Sequence, residues 1–135
     1  MLQIRRETDY AIRCIYYLAG KEREVTMVDE IAREMKIPKS FLAKILQRLS
    51  KAGLVSSYVG MKGGFYLTRK PQKISLYDVI TAIEGPVSMN RCTVDERSCS
   101  LSKTCVIHPI WIEVRSEIEE ILKKSNFHKI LTVSK

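Results

Sequence analysis

T-M-V-D-E-I-A-R-E-M-K-I-P-K-S-F-L-A-K-I-L-Q-R-L-S-K-A-G-L-V-S-S-Y-V-G-M-K-G-G-F-Y-L-T, residues 26–68, decides the fold. Thr26 opens a helix, because its hydroxyl can cap free backbone N–H groups, and Asp29 in the first turn suits the positive end of the helix dipole. Val28, Ile31, Ala32 and Met35 form the apolar face of that helix. Lys36-Ile37-Pro38 makes a short turn, and a further helix follows at about 38–52, ending at Gly53. Phe41, Leu42, Ile45, Leu46 and Leu49 point inward, leaving Lys39, Ser40, Ala43, Lys44, Gln47, Arg48 and Lys51 outside. Two short helices across a tight turn, the second with a basic and small-polar outer face, make a helix-turn-helix. Leu54–Val59 and Phe65–Thr68 read as strands joined by Gly60-Met61-Lys62-Gly63-Gly64. The three glycines permit positive φ and close backbone approach. A basic hairpin directly after a recognition-type helix is a wing, with Lys62 at its tip placed for a phosphate or minor-groove contact.

The charge distribution gives this stretch a partner. The net charge is +8, and residues 1–73 account for all of it, with 15 basic and 7 acidic side chains. Residues 74–135 carry 8 of each. Residues 35–73 hold nine Lys or Arg and no Asp or Glu. A solvated face mixes signs, so a one-sign segment points to a polyanion, and double-stranded DNA leads. A membrane surface fits less well, since the cations lie across a helix and a Gly-rich turn rather than along one amphipathic helix. Lys39, Ser40, Lys44, Gln47, Arg48 and Lys62 are the candidate DNA-binding residues. Of these, Ser40, Lys44 and Gln47 are placed to reach base edges.

Outward from the centre, residues 5–20 read as a helix. Ala11, Cys14, Ile15 and Leu18 follow i, i+3, i+4, i+7, and Gly20 ends it. Cys14 is then a small core hydrophobe. Ser75 caps a fourth helix at about 76–85, with Asp78 in its first turn, and Gly85-Pro86 stops it. The last clear helix spans about 106–125, with Pro109 tolerable in its first turn. Trp111, Val114, Ile118 and Ile121 step by 3, 4 and 3, a coiled-coil spacing, and Ile110 and Leu122 widen the stripe. That is more apolar surface than one small domain covers, so this helix is expected to form a homodimer seam, matching the palindromic targets of two-fold readers. The expected organisation is therefore a winged helix-turn-helix domain at 1–85, a loop at 86–108, a dimerisation helix at 106–125 and a tail at 126–135. The fold class is mainly α with a small β-wing.

At 135 residues the chain is one domain with room for a real core. No apolar run approaches a membrane span, and the N-terminus does not read as a signal peptide, because Asp9 and Arg13 interrupt its apolar stretch. The expectation is a cytoplasmic protein with no membrane partner. In a reducing compartment clustered cysteines read as metal ligands or redox groups rather than disulfides.

Such a cluster lies in the loop, C-T-V-D-E-R-S-C-S-L-S-K-T-C-V-I-H at 92–108. Its spacing is C-x6-C-x5-C-x2-H. Zinc sites usually use close C-x2-4-C pairs, and none is present. Three thiolates and one imidazole suit a [2Fe-2S] cluster, since histidine replaces cysteine at some iron sites. Spacing alone leaves iron–sulfur, zinc and a thiol switch open. About 20 residues without structure of their own mark a functional insert or a ligand that orders it. No Ser-His-Asp set, phosphate loop or acid pair stands out, so an enzyme is not expected.

The motifs T-D-Y-A-I-R at 8–13, I-P-K-S-F-L-A-K-I-L-Q-R-L-S-K-A-G-L-V at 37–55, G-M-K-G-G-F-Y-L at 60–67 and S-L-Y-D-V-I-T-A-I-E-G at 75–85, with three cysteines before a Trp-bearing helix, cover nearly the whole chain. Together they resemble the IscR/NsrR family of bacterial winged-helix regulators. The resemblance implies a homodimeric transcription factor whose promoter binding depends on an iron–sulfur cluster. It puts Cys92, Cys99 and Cys105 on the family's cluster cysteines. It puts His108 on the fourth ligand of the iron–sulfur-biogenesis regulators, and Asp9 on the fourth ligand of the nitric-oxide-sensing branch, donated there by the partner subunit. A [2Fe-2S] cluster on Cys92, Cys99, Cys105 and His108 is favoured, with [4Fe-4S] and Asp9 as runner-up. Other members lack a cluster and sense through a partner enzyme, but usually lack these cysteines too. The chain departs from the pattern at Ala43, where the best-known biogenesis regulators are acidic, and at Val59, where an arginine is common, so operator sequence does not carry over.

Overall fold

The computed structural model describes residues 3–88, 95, 97, 100–101 and 103–133. Helices α1 (Arg6–Ala19), α2 (Val28–Met35) and α3 (Lys39–Lys51) precede a hairpin of β1 (Val55–Tyr58) and β2 (Gly64–Leu67). A short 3-10 turn (Pro71–Lys73), α4 (Leu76–Glu84), α5 (His108–Lys124) and α6 (Phe127–Val133) follow. No described helix is long and apolar enough to cross a membrane. The expected mainly helical fold with a small β-wing is what the chain adopts.

The core lies where the apolar periodicity of α1 and α3 meets. Ala11, Cys14, Ile15 and Leu18 of α1 pack with Leu42, Ile45, Leu46 and Leu49 of α3, joined by Ile31, Val79 and Ile83. Burying a Leu or Ile side chain contributes about 1.5–3 kcal/mol, so this stripe carries the stability of the helix-turn-helix. Phe41, expected inward, is 42% exposed. It sits one position before the buried Leu42, at the margin of the stripe, and its ring rests against Tyr10 with centroids 6.0 Å apart. The α2–α3 turn is made by Lys36 in the left-handed region (φ 55°) rather than by a glycine.

The hairpin is antiparallel, with Val55 opposite Leu67 and Tyr58 opposite Gly64. Thr26 does not cap α2 as expected. Its backbone forms a bridge with Phe65, its hydroxyl donates to the Glu24 carbonyl, and α2 starts from Met27 with no side-chain cap. The connection before α2 thus becomes a third rung beside the wing. The wing glycines serve this close approach and not positive φ, which among the described glycines belongs to Gly53 and Gly85. A Cβ at Gly64 would overlap the Thr26 carbonyl.

Ser75 opens α4 with a full capping box. Its N–H donates to Asp78 Oδ2 at 2.9 Å and its Oγ accepts from the Asp78 N–H at 3.2 Å. The segment expected to be a tail instead holds α6. Phe127 is fully buried in the common core, the Phe127 N–H donates to the Ile74 carbonyl at 3.0 Å, and Ser75 bridges Asn126. Phe127→Ala should therefore cost about 3–5 kcal/mol, read as a lowered urea midpoint. A loss under about 1 kcal/mol would mean that α6 lies outside the cooperative unit.

Candidate functional site

The outward face of α3 is built as expected. Ser40, Lys44 and Gln47 are exposed, and their side chains make no hydrogen bond or ion pair among the described residues. Lys39 is held by Asp29 at 2.5 Å. Arg48 turns toward the protein. Its Nη1 lies 3.4 Å from Glu7 Oε2 and 3.4 Å from the Ile83 carbonyl, in the last turn of α4. A cation there satisfies a helix C-terminal carbonyl, a role that sequence spacing could not separate from DNA contact. Lys36, Lys44, Lys51, Lys62, Arg69, Lys70 and Lys73 have no carboxylate partner among the described residues. On the outward face of α3, Lys44 is thus left for an external anion.

Several contacts fix α2 and the hairpin against α1 and the connection after it. The Tyr17 hydroxyl donates to Glu30 at 2.6 Å, and Lys21 Nζ lies 3.1 Å from the same carboxylate and 5.1 Å from the Tyr17 ring centroid. The Tyr17 hydrogen bond, with Lys21, holds the Glu30 carboxyl below its ordinary value. That triad ties α2 to α1. Arg13 Nη1 donates to the Met35 carbonyl at the end of α2. Arg23, in the left-handed region at φ 70°, donates to the Leu67 and Thr68 carbonyls at the base of the wing.

The end of α4 leads into the cysteine loop and is tied to α1. Glu84 accepts from the Thr8 hydroxyl at 2.5 Å and from the Arg5 N–H at 3.2 Å. With Arg48 on Ile83 beside it, one polar junction joins the recognition helix, the start of α1 and the entry to the loop. Neither Thr8 nor Glu84 stood out in sequence. Their partners are 76 residues apart, and only the fold brings them together.

Of the expected ligands, Cys92 and Cys99 lie outside the described residues. Cys105 is a partly exposed free thiol, in a turn where its N–H donates to the Leu101 carbonyl at 2.7 Å. It precedes α5, which begins at His108 and not at 106, so Cys105 and His108 are not stacked on one helical face. His108 is buried in the first turn of α5, whose start has no side-chain cap. Asp9 is exposed and ion-paired to Arg13 at 2.9 Å. Burial pushes the Cys14 thiol up to about 12, so it stays protonated at neutral pH, unfit as a thiolate ligand. Among the described residues no three His, Cys, Asp or Glu side chains gather closely enough to hold a metal ion. The donors that are described, one accessible thiol and one imidazole three residues apart, have the chemistry of an iron–sulfur or zinc ligand pair.

On α5, Trp111, Ile121, Ile110 and Ile112 are exposed, as is Ile107 at its N-cap. Val114, Arg115, Ile118, Glu119 and Leu122 are half-buried at helical spacing, where α5 packs on α4. Lys123 Nζ lies 4.6 Å from the Tyr77 ring centroid across that contact. The stripe expected as one seam is therefore divided, with Val114 and Ile118 partly used within the protomer.

The chain is 33% identical over 126 residues to an HTH-type transcriptional regulator of Aquifex aeolicus, covering 92% of this chain and 88% of that one. It is 27% identical to the HTH-type transcriptional regulator NsrR of Bacillus licheniformis, covering 96% and 92%. Its fold is similar to that of T. potens IscR (TM-score 0.75, 26% identity, 99% and 89% covered). It is also similar to that of CymR, the global cysteine regulator of B. subtilis (TM-score 0.79, 27% identity, 98% of each chain). Residues 4–132 match the Rrf2 family, described as "Iron-dependent Transcriptional regulator", and with the helix-turn-helix, the wing and the basic reading face already in view, the chain belongs to the Rrf2 family of transcriptional regulators.

Proposed function

We propose that the chain is a homodimeric promoter-binding regulator controlled by an iron–sulfur cluster held by Cys92, Cys99, Cys105 and His108. One observation carries this reading. A loop with three thiols and one imidazole runs from the α4 end, which Arg48 ties to the recognition helix, to the start of α5. A cluster held by that loop would bear on both ends at once. The uncapped N-terminus of α5 also favours the negative charge of thiolates beside it. When bound, the cluster supplies an inorganic centre sensitive to oxidants, nitric oxide and iron supply. The chain's own residues supply the rest: thiolates and imidazole to hold it, and the Glu84, Thr8, Arg5 and Arg48 junction to relay its binding toward α3.

Purification without oxygen followed by visible and Mössbauer spectroscopy tests this. Iron with visible absorption that changes operator affinity on removal is the expected result. A colourless, iron-free protein with unchanged DNA affinity would sink it. The second reading is a zinc or reactive-thiol regulator, favoured by the partly exposed free Cys105 and by the likeness to a cysteine regulator's structure. It predicts DNA binding that follows zinc or thiol oxidation with no visible chromophore.

On the DNA side, we infer that Ser40, Lys44 and Gln47 contact base edges, with Lys39 and Arg48 at the margins of the footprint, and that Lys62 contacts phosphate or the minor groove. Lys44→Ala should relax selection at one base pair, costing about 1–3 kcal/mol there. Lys62→Ala should weaken binding to all sequences and flatten the salt slope by about 1. Salt-dependent binding to variant operators separates the two. If neither substitution alters binding, the reading face lies elsewhere.

A further inference from the structure

The tip of the wing is apolar as well as basic. Tyr58 is 58% exposed, Val59 92%, and Met61 is fully exposed. Single exposed apolar residues are ordinary on a protein surface. Here three fall within four consecutive residues at the apex of a projection, beside a lysine with no partner among the described residues. The Gly63 N–H donates to the Gly60 carbonyl at 3.1 Å, closing a four-residue turn with Met61 and Lys62 at its centre. The turn is tightly determined. A Cβ at Gly63 would come within 2.6 Å of the Tyr58 carbonyl, and one at Gly64 would overlap the Thr26 carbonyl. The Thr26–Phe65 bridge and the Arg23 contacts hold the base of the wing. Met61 is thus presented by a braced hairpin, so little ordering cost remains to be met on binding.

An apolar point beside a cation with no partner among the described residues matches a polyanion with an apolar interior. Duplex DNA has both, in its phosphates and its base stack. Resting on the DNA-binding reading above, we propose that Met61 is a wedge that enters the minor groove of the bound duplex, partly unstacks one base step and bends the DNA. Val59 widens the wedge, and Lys62 holds an adjacent phosphate. Side chains such as methionine act this way in proteins that kink DNA by about 20–90°. The energy of the bend depends on the step being opened, so flexible pyrimidine–purine steps under the wing would be selected without any hydrogen bond to a base.

The test uses the full chain and the tightest duplex that it recovers from a random-sequence pool. Bending is read from circularly permuted fragments, and unstacking from a fluorescent adenine analogue placed at each step in turn. The wild type should bend the duplex and raise fluorescence at one step. Met61→Ala should lose more than about half of the bend and the fluorescence signal while keeping its salt slope. Met61→Leu should keep both. Lys62→Ala should keep the bend and flatten the slope. Because Met61 is fully exposed, these variants should fold as the wild type does. A wild type that binds tightly to straight DNA, or a Met61→Ala that bends as well as wild type, would overturn the wedge and leave DNA binding intact. A wild type that selects no duplex would overturn DNA binding itself. Capture of Met61-dependent protein by anionic lipid vesicles in place of duplex would assign the tip to a membrane and overturn both.

Discussion

Ile121→Glu should sediment as a monomer and lose operator affinity by about 10²–10⁴-fold, the factor that joining two half-site readers ordinarily contributes. In the single protomer Ile121 is 64% exposed, so a glutamate there costs the protomer little. If Ile121 lies in a seam with a second copy, the same glutamate is buried without a partner, which is expensive enough to break the contact. Exposed Ile110 and Trp111 lie about three turns away along the same helix, and exposed Ile107 stands at its N-cap, so the surface left open is long enough for a dimer contact. Val133→Glu is the matching control, since Val133 is an exposed apolar residue on α6. It should leave the dimer intact. An Ile121→Glu chain that remains a dimer at the same concentration would place the interface elsewhere. Ile118→Glu would be a poorer test, because Ile118 is half-buried where α5 packs on α4 and its failure could reflect misfolding.

What could be read without the structure was whatever is written locally. The 3.6-residue period of Leu42, Ile45, Leu46 and Leu49, and the Ser75–Asp78 spacing of a capping box, each involve residues within one or two turns. Their geometry follows from the helix itself. Arg48 was legible only as an outward cation. Its partners, Glu7 and Ile83, are 41 and 35 residues away. Thr26 reads as a cap by residue type, but its backbone is claimed by Phe65 in a distant strand. Of the two reasons expected for the wing glycines, close backbone approach holds and positive φ does not. Sequence shows that a Cβ is unwelcome, and only the packed hairpin shows that a neighbouring carbonyl is the reason.

The helix α6 was missed although its signal was present. Phe127, Ile130 and Leu131 fall at i, i+3 and i+4, and Asn126 Oδ1 accepts from the Lys129 N–H at 2.9 Å, a start signal. Seven residues are too few for a helix to be stable alone. Its existence depends on the Phe127 ring filling the core beside α1 and the 3-10 turn. On α5 the apolar excess was legible and its division was not, because period alone does not say which side of a stripe meets the protomer and which meets a second chain.

His108→Ala, made without oxygen, should lose or shift the visible absorption, while Asp9→Ala should leave it largely intact. Both residues are plausible oxygen or nitrogen donors by sequence, and their surroundings differ. Asp9 is exposed and its carboxylate is engaged by Arg13 at 2.9 Å, one turn on in α1. Recruiting it would mean giving up that pair and bringing the start of α1 to a cluster on another chain. His108 is three residues from Cys105 and buried at the uncapped start of α5, so a cluster ordered there bears directly on the helix expected to pair. Loss of groups that merely support a ligand typically costs about 10–100-fold in metal affinity, and loss of a ligand itself should cost no less. Because His108 is buried, its alanine variant could also loosen α5. His108→Cys guards against that, since a thiolate in the same place should restore iron with a shifted spectrum, which a purely structural role would not do. Cys14→Ala should leave the chromophore unchanged, because that thiol stays protonated in the core. A spectrum insensitive to His108 and abolished by Asp9→Ala would assign the cluster to the nitric-oxide-sensing arrangement, spanning two subunits. The dimer would then be a condition of holding the cluster rather than of reading DNA, and Ile121→Glu would bleach the protein as well as dissociate it.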